Sequence, residues 1–204
     1  RAYFPGVDLT TGDFASGYTV PALKADGSGS VCEGAQCAEY RSAQAYHDHN
    51  WGVWRGVTWD WGAARAGNYA FLFGRVQPPD SPGSTSPLFL YLVDSLGFRA
   101  VFRPPSVAYV DDRTIVVDGH RVRVPSTAQF SDVRGADTVR VQFTVEDAVA
   151  TDTRRPLIER GATAAARRLV RPYFVQMKGH ARLSGRIDGR PITGDGTGFF
   201  ETYR

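Results

Sequence analysis

The chain has 204 residues, 42% of them hydrophobic and 12% aromatic, enough for one ordinary core, or one core plus the remnant of a second. Its 24 basic residues stand against 21 acidic ones, a formal net charge of +3, and adjacent arginines occur only as Arg154-Arg155 and Arg167-Arg168. Without a basic stripe interleaved with stacking rings, nucleic acid is not an expected partner. No stretch approaches the roughly 20 apolar residues of a membrane-spanning helix, so no transmembrane segment is expected. No signal peptide is visible, but the chain starts at Arg1 without a methionine, as a processed or truncated N-terminus would.

Residues 1–40 alternate turn signals with short apolar pieces: Tyr3-Phe4-Pro5-Gly6, Gly12, then Gly17 to Pro21. They hold too little for a core of their own and read as the end of a preceding domain plus a linker. Cys32 and Cys37 lie in a segment of glycine, serine and alanine, Gly27 to Cys37, expected to be a loop. Two readings stand for the pair: free cytosolic thiols, or a short-loop disulfide in an exported protein. The small residues favour the second, because they permit the tight closure that bridge geometry needs. A cysteine metal site is not expected, since there is no CxxC spacing and no second pair.

From Trp51 onward the pattern is strand after strand. Val57, Trp59 and Trp61 share one face, with Thr58 and Asp60 on the other. Tyr69 to Val76 and Leu88 to Val93 are continuous apolar strands, separated by a Pro/Ser/Gly loop over residues 77–87. Phe98 to Phe102, Val107 to Val110, Ile115 to Val117 and Val122 to Val124 follow, with hairpin turns expected at Asp111-Asp112 and Asp118-Gly119. Val139, Val141, Phe143 and Val145 alternate strictly with polar residues, and so do Tyr173, Val175, Met177, Gly179, Ala181 and Leu183. Asp188-Gly189 then turns the chain into a last strand ending at Arg204. One segment, Pro156 to Val170, reads as a short helix stopped by Pro172. The whole predicts an all-β domain, an antiparallel β-barrel over 41–204 with one short helix. About eight strands leave room inside such a barrel for one small ligand.

All four tryptophans, Trp51, Trp54, Trp59 and Trp61, fall within eleven residues, directly after Tyr46-His47-Asp48-His49-Asn50. Each of those polar side chains needs a partner once buried. Three readings fit. The polar groups tie the strand to neighbouring backbone while the tryptophans fill a core. Or His47 and His49, on one face of a strand, ligate a metal, although no third ligand is evident nearby. Or a proton donor sits among aromatic faces that accommodate an apolar substrate and stabilise a cationic intermediate.

Ala45-Tyr46-His47-Asp48-His49-Asn50-Trp51-Gly52, followed by Trp59-Asp60-Trp61-Gly62, resembles the signature of the hydroxyneurosporene synthase (carotenoid hydratase) and AttH-like superfamily. Phe174 to Gly179 and Gly196 to Arg204 are similar to that family's closing strands, so the resemblance spans about Tyr18 to Arg204. It implies a lipocalin-like fold with two barrels in one chain, of which this sequence is mainly the second, with a further barrel preceding Arg1. It also implies water addition to, or cyclisation of, an isoprenoid or polyketide substrate by a lyase (hydratase) or cyclase, without cofactor or metal.

Carried over by position, His49 and Trp51 would line the pocket, with Tyr46, His47, Asp48, Asn50, Trp59 and Trp61 around them. The strand after Trp59-Asp60-Trp61-Gly62, where such hydratases are expected to place their acid, carries none, which leaves Asp48, Asp60 and Glu201 as candidates. Alternation puts Glu201 on the face of Phe199 and Tyr203, with two readings: it points inward, where burial would let it donate a proton near neutral pH, or it forms a rim salt bridge with one of the arginines. The expected catalytic set is therefore His49, Asp48 and Glu201. The rival reading is a non-catalytic exported (periplasmic or secreted) carrier of a lipid or pigment, which the cysteine pair favours over a cytoplasmic protein.

Overall fold

The computed structural model describes residues 2–8, 17–52, 57–77, 88–110, 112–154, 161, 163 and 173–204. Among them every regular element is a β-strand. The helix expected over Pro156 to Val170, the loop expected over 77–87 except Gln77, and Asp111 of an expected turn lie outside the described residues. The chain divides into two compact units, one of residues 1–54 with 96–98, the other of 55–95 with 99–204.

The first unit is a three-stranded antiparallel sheet of β1 (Ala2–Asp8), β2 (Gly17–Glu33) and β3 (Gln36–Trp51), in that spatial order. The segment expected as a loop is instead the far end of a long hairpin. Cys32 lies opposite Cys37, Glu33 opposite Gln36, and Gly34, at φ 58°, supplies the left-handed turn residue between them. Small residues did signal close approach, but between paired strands. The two cysteines are disulfide-bonded, with Cα atoms 4.1 Å apart. Pairing runs unbroken in sense from Cys32↔Cys37 back to Gly17↔Trp51, with bulges at Thr19/Ala22, Ala22/Ala25 and Gly27/Gly29. The Tyr46 to Gly52 segment lies in this first unit.

The second unit is a curled antiparallel sheet of nine strands. In chain order they are β4 (Thr58–Ala66), β5 (Tyr69–Gln77), β6 (Phe89–Asp94), β7 (Gly97–Phe102), β8 (Ala108–Val110), β11 (Thr127–Arg134), β12 (Asp137–Asp152), β13 (Tyr173–Ile187) and β14 (Arg190–Tyr203). Their spatial order is β7-β6-β5-β4-β14-β13-β12-β11-β8, and a separate hairpin is formed by β9 (Arg113–Val117) and β10 (His120–Val124). Both expected Asp-Gly turns are present as two-residue hairpin loops. Asp118 and Gly119 have φ of 47° and 79°, Asp188 and Gly189 51° and 75°, the positive pair that matches the twist of the flanking strands.

Period two sets the core. Val139, Val141, Phe143 and Val145 point inward from β12, and Val175, Met177, Ala181 and Leu183 from β13. Val117, Val122 and Val124 of the β9–β10 hairpin bury against the same core. Its centre is filled with rings: Phe143 stacks on Phe200 at 4.0 Å, and Phe73 lies 4.3 Å from Phe200 and 4.9 Å from Phe130. Each fully buried ring contributes on the order of 2–3 kcal/mol of transfer free energy. Side chains bring the far strands together. The Arg103 backbone N–H donates to Asp132 Oδ2 at 2.6 Å, Arg134 donates to the Val101 carbonyl at 3.2 Å, and its guanidinium lies 5.7 Å from the Phe102 ring centroid. The result is a lipocalin-like all-β fold.

Candidate functional site

The expected site residues fall into three groups. Tyr46, His47, Asp48, His49, Asn50 and Trp51 are on β3 of the first unit. Strand alternation sends His47, His49 and Trp51 to one face and Tyr46, Asp48 and Asn50 to the other. His49 stacks on Trp51, centroids 5.8 Å apart and planes at 27°. The Tyr46 hydroxyl donates to Asp48 Oδ2 at 3.2 Å. Asp48 therefore engages Tyr46 on the face opposite His49. His47, His49 and Asn50 are exposed and Trp51 is 40% exposed, so the stacked pair presents its surface outward. Among the described residues no group of three or more His, Cys, Asp or Glu is placed to hold a metal ion.

The second group lies in the second unit, on the face of the sheet turned away from the core. β14 buries Ile192, Phe200 and Thr202 inward, so Glu201 points the other way, with Phe199 and Tyr203. The inward direction expected for Glu201 does not hold: the bulkier Phe200 and the hydrogen-bonded Thr202 claim the core. Glu201 is nonetheless set among rings. It accepts from Trp59 Nε1 at 3.1 Å and from Gln176 Nε2 at 3.0 Å. The Trp59 ring meets Tyr203 at 5.0 Å and 85° and Phe174 at 5.4 Å and 62°, while Phe174 and Tyr203 are 5.2 Å apart. Three rings in mutual contact thus flank one carboxylate. Burial, and secondarily the Glu201 charge, push the Tyr203 phenol well above its ordinary range and keep it neutral. Trp61 shares this outward face of β4 but packs edge-on against Phe89, at 5.9 Å and 78°.

Of the third group, sequence reasoning offered only Asp60, as a candidate acid. Asp60, between Trp59 and Trp61, points inward and is 5% exposed. Its Oδ2 accepts from Nε and Nη2 of Arg75, the Nε bond measuring 3.1 Å. Its Oδ1 accepts from the Tyr109 hydroxyl and from Thr202 Oγ1, each at 2.8 Å. The Arg204 guanidinium stands 4.4 Å over the Tyr109 ring and donates to Thr202 Oγ1 at 3.3 Å. Burial, reinforced by the Asp60 charge, pushes the Tyr109 phenol far up, so it stays a proton donor to Asp60. A lone acid between two tryptophans was the available signal for this hub. Tyr109 and Thr202 carried none.

The fold places this chain among lipocalin-like all-β proteins. It superposes on a kievitone hydratase from Nectria haematococca with a TM-score of 0.52 and 14% identity over 97% of this chain and 64% of that one. It superposes on an AttH-like protein from Nitrosomonas europaea with a TM-score of 0.55 and 19% identity over 100% of this chain and 60% of that one. The chain thus spans 60–64% of the length of these solved structures. No family model and no curated protein sequence matches it.

Proposed function

We propose that this chain is a lipocalin-like domain that binds a hydrophobic isoprenoid or polyketide substrate and catalyses cofactor-independent, acid-assisted hydration or cyclisation. The observation that carries the reading is the Glu201 carboxyl group fixed by Trp59 Nε1–H among the Trp59, Phe174 and Tyr203 rings. In its acid form Glu201 would give its proton to the terminal carbon of an alkene, leaving the positive charge on the more substituted carbon. Aromatic faces stabilise such a cation through their quadrupole. Attack by water, with return of a proton to the carboxylate, completes hydration. Attack by a second double bond of the same chain, followed by proton loss, completes cyclisation. A hydratase among the structural neighbours supports the class of reaction.

His49, with Trp51 stacked on it, is assigned a catalytic role on the first unit, with Asp48 acting through Tyr46 to stiffen that stretch of β3. His47 shares the face of His49 and Trp51 and would contact substrate with them, while Tyr46 and Asn50 would do so only from the opposite face of β3. A further barrel preceding Arg1 is part of the proposal, with residues 1 to about 40 as its end and linker. The longer chains of both neighbours and the outward His49–Trp51 surface support it.

The test is incubation with a panel of isoprenoids bearing terminal double bonds in heavy-oxygen water, read by mass spectrometry. Native protein should give labelled alcohol or cyclised isomer, and Glu201→Gln should give neither. Equal product from both proteins would remove Glu201 from the mechanism. No product from any substrate would leave the second reading, an exported carrier of a lipid or pigment, which the Cys32–Cys37 disulfide favours. Native mass spectrometry of protein from its source should then find an unaltered hydrophobic ligand retained.

A further inference from the structure

The Glu201 cluster and the Asp60 hub lie on opposite faces of the same sheet, yet they use neighbouring backbone positions. Trp59 and Asp60 are consecutive on β4, and Glu201 and Thr202 are consecutive on β14. On the outward face Trp59 Nε1 donates to Glu201 Oε2 at 3.1 Å, and on the inward face Thr202 Oγ1 donates to Asp60 Oδ1 at 2.8 Å. The backbone pairing of β14 with β4 covers Gly198↔Ala64 to Glu201↔Trp61, and residues 59, 60 and 202 lie beyond it. Side-chain bonds therefore hold the two strands together at the end where the acid sits.

We propose that Asp60 is a positioning residue for Glu201, acting through Thr202 to fix the strand offset at which Trp59 can donate to the carboxylate. The inference deepens the reading of Glu201 as the acid and takes that role from it. Its geometric part stands apart from any turnover. Asp60 suits the task because it is itself immobilised: Arg75 holds Oδ2 from β5, and Tyr109 holds Oδ1 from β8. A carboxylate with every direction engaged has little freedom to follow Thr202 if β14 slides. The charged groups around it are Arg75 and Arg204, with Tyr109 the facing titratable group. The proposed route to Glu201 runs through the backbone of the two strands.

Thr202→Val is the decisive variant, since it keeps the branched shape and removes only the hydroxyl. The readout is the indole N–H resonance of Trp59 in nitrogen-15 labelled protein, identified by its loss in Trp59→Phe. In the native chain that resonance should move with pH as Glu201 ionises, and Glu201→Gln should abolish the movement. Thr202→Val should reduce the movement to less than about half, as a charge-assisted bond lengthens and weakens, and Thr202→Ser should restore it. Tyr109→Phe removes another donor from the same Asp60 oxygen but leaves the Thr202 bond and Arg75 in place, and should reduce the Trp59 movement clearly less than Thr202→Val does. An unchanged titration in Thr202→Val overturns the proposal. So does an equal loss in Tyr109→Phe, which would mark the effect as general loosening. Because none of these measurements needs a substrate, a failed hydration assay and a failed positioning role are told apart.

Discussion

The Tyr109 hydroxyl donates a 2.8 Å hydrogen bond to Asp60, joining β8, the last strand of the nine-stranded sheet, to β4, the fourth. Among the described residues β8 pairs with β11 through Ala108–Val110, so this bond, together with Arg204 over the Tyr109 ring, gives a short edge strand long-range ties. Thr202 and Arg75 complete the shell, and Asp60 is the acid that all three share.

Removing that acid should be costly. Asp60→Ala leaves Arg75, with a side chain only 16% exposed, without its counter-charge. Breaking one side of a buried ion pair costs about 3–5 kcal/mol. Tyr109→Phe removes one hydrogen bond and should cost about 1–2 kcal/mol. Urea denaturation of the two variants should rank them in that order. A loss under about 1 kcal/mol in Asp60→Ala would show that the hub is not a stabilising element.

Alkaline stability follows from the buried phenols. Tyr18 is pushed up to about 12 by burial, and Tyr109 and Tyr203 beyond that. A tyrosine whose pKa is raised in the folded state favours folding fully below the unfolded value of 10.0. That contribution is lost as pH rises from there through the folded value. Stability should therefore fall between about pH 10 and 12. Phenolate absorbance should show one group of tyrosines titrating reversibly and another appearing only with unfolding. A single smooth titration of all nine tyrosines on the folded protein would contradict these environments.

Gly198 sits where β14 runs close against β4. A Cβ there would run into the Ala63 carbonyl and the Ala64 side chain. Those are backbone and a rigid methyl, so the strands would have to part. Gly198→Ala should cost about 1–3 kcal/mol, as overpacking does. It should also disturb the Trp59–Glu201 bond, because Gly198 begins the short β14–β4 ladder. Thermal unfolding and the Trp59 indole resonance should change together, whereas a change in only one would separate strand spacing from the site.

The second unit was legible because its sequence alternates with little ambiguity. Val139 to Val145 and Val175 to Leu183 show which side chains face the core, and Asp118-Gly119 and Asp188-Gly189 fix the turns. Glu201 was harder. It lies in Phe199-Phe200-Glu201-Thr202-Tyr203, where apolar residues occupy both parities, so alternation alone does not choose the inward one. Thr202, a polar residue, takes the core position because Asp60 is there to receive its hydroxyl. Asp60 stood among the candidate acids, but its role as a hub was not legible, since its partners come from β5, β8 and β14. The Gly27 to Cys37 ribbon read as a loop for a related reason: glycine and serine carry weak strand preference, and cross-strand pairing supplies what composition lacks.

His49→Ala should abolish product formation in the isoprenoid assay while leaving the fold intact. His49 is exposed and stacks on the ring of Trp51 at 5.8 Å, so its loss removes little buried surface. Surface changes of this kind fall within about 0.5 kcal/mol. Unchanged turnover in a folded His49→Ala protein would take the Tyr46 to Gly52 segment out of the chemistry.

The disulfide at the hairpin tip should matter locally. It joins residues five apart in sequence, and closing so short a loop stabilises by only about 2 kcal/mol on chain-entropy grounds. Around it the ribbon is exposed, including Val31 at 67% and Tyr40 at 48%, so no core depends on the bridge there. Intact mass should show alkylation of both cysteines only after reduction. In Cys32→Ser with Cys37→Ser, amide exchange should speed up for residues 29–40 and stay unchanged across β12 and β13. Faster exchange in β12 and β13 would mean that the ribbon supports the nine-stranded sheet, and alkylation without reductant would mean that the cysteines are free thiols.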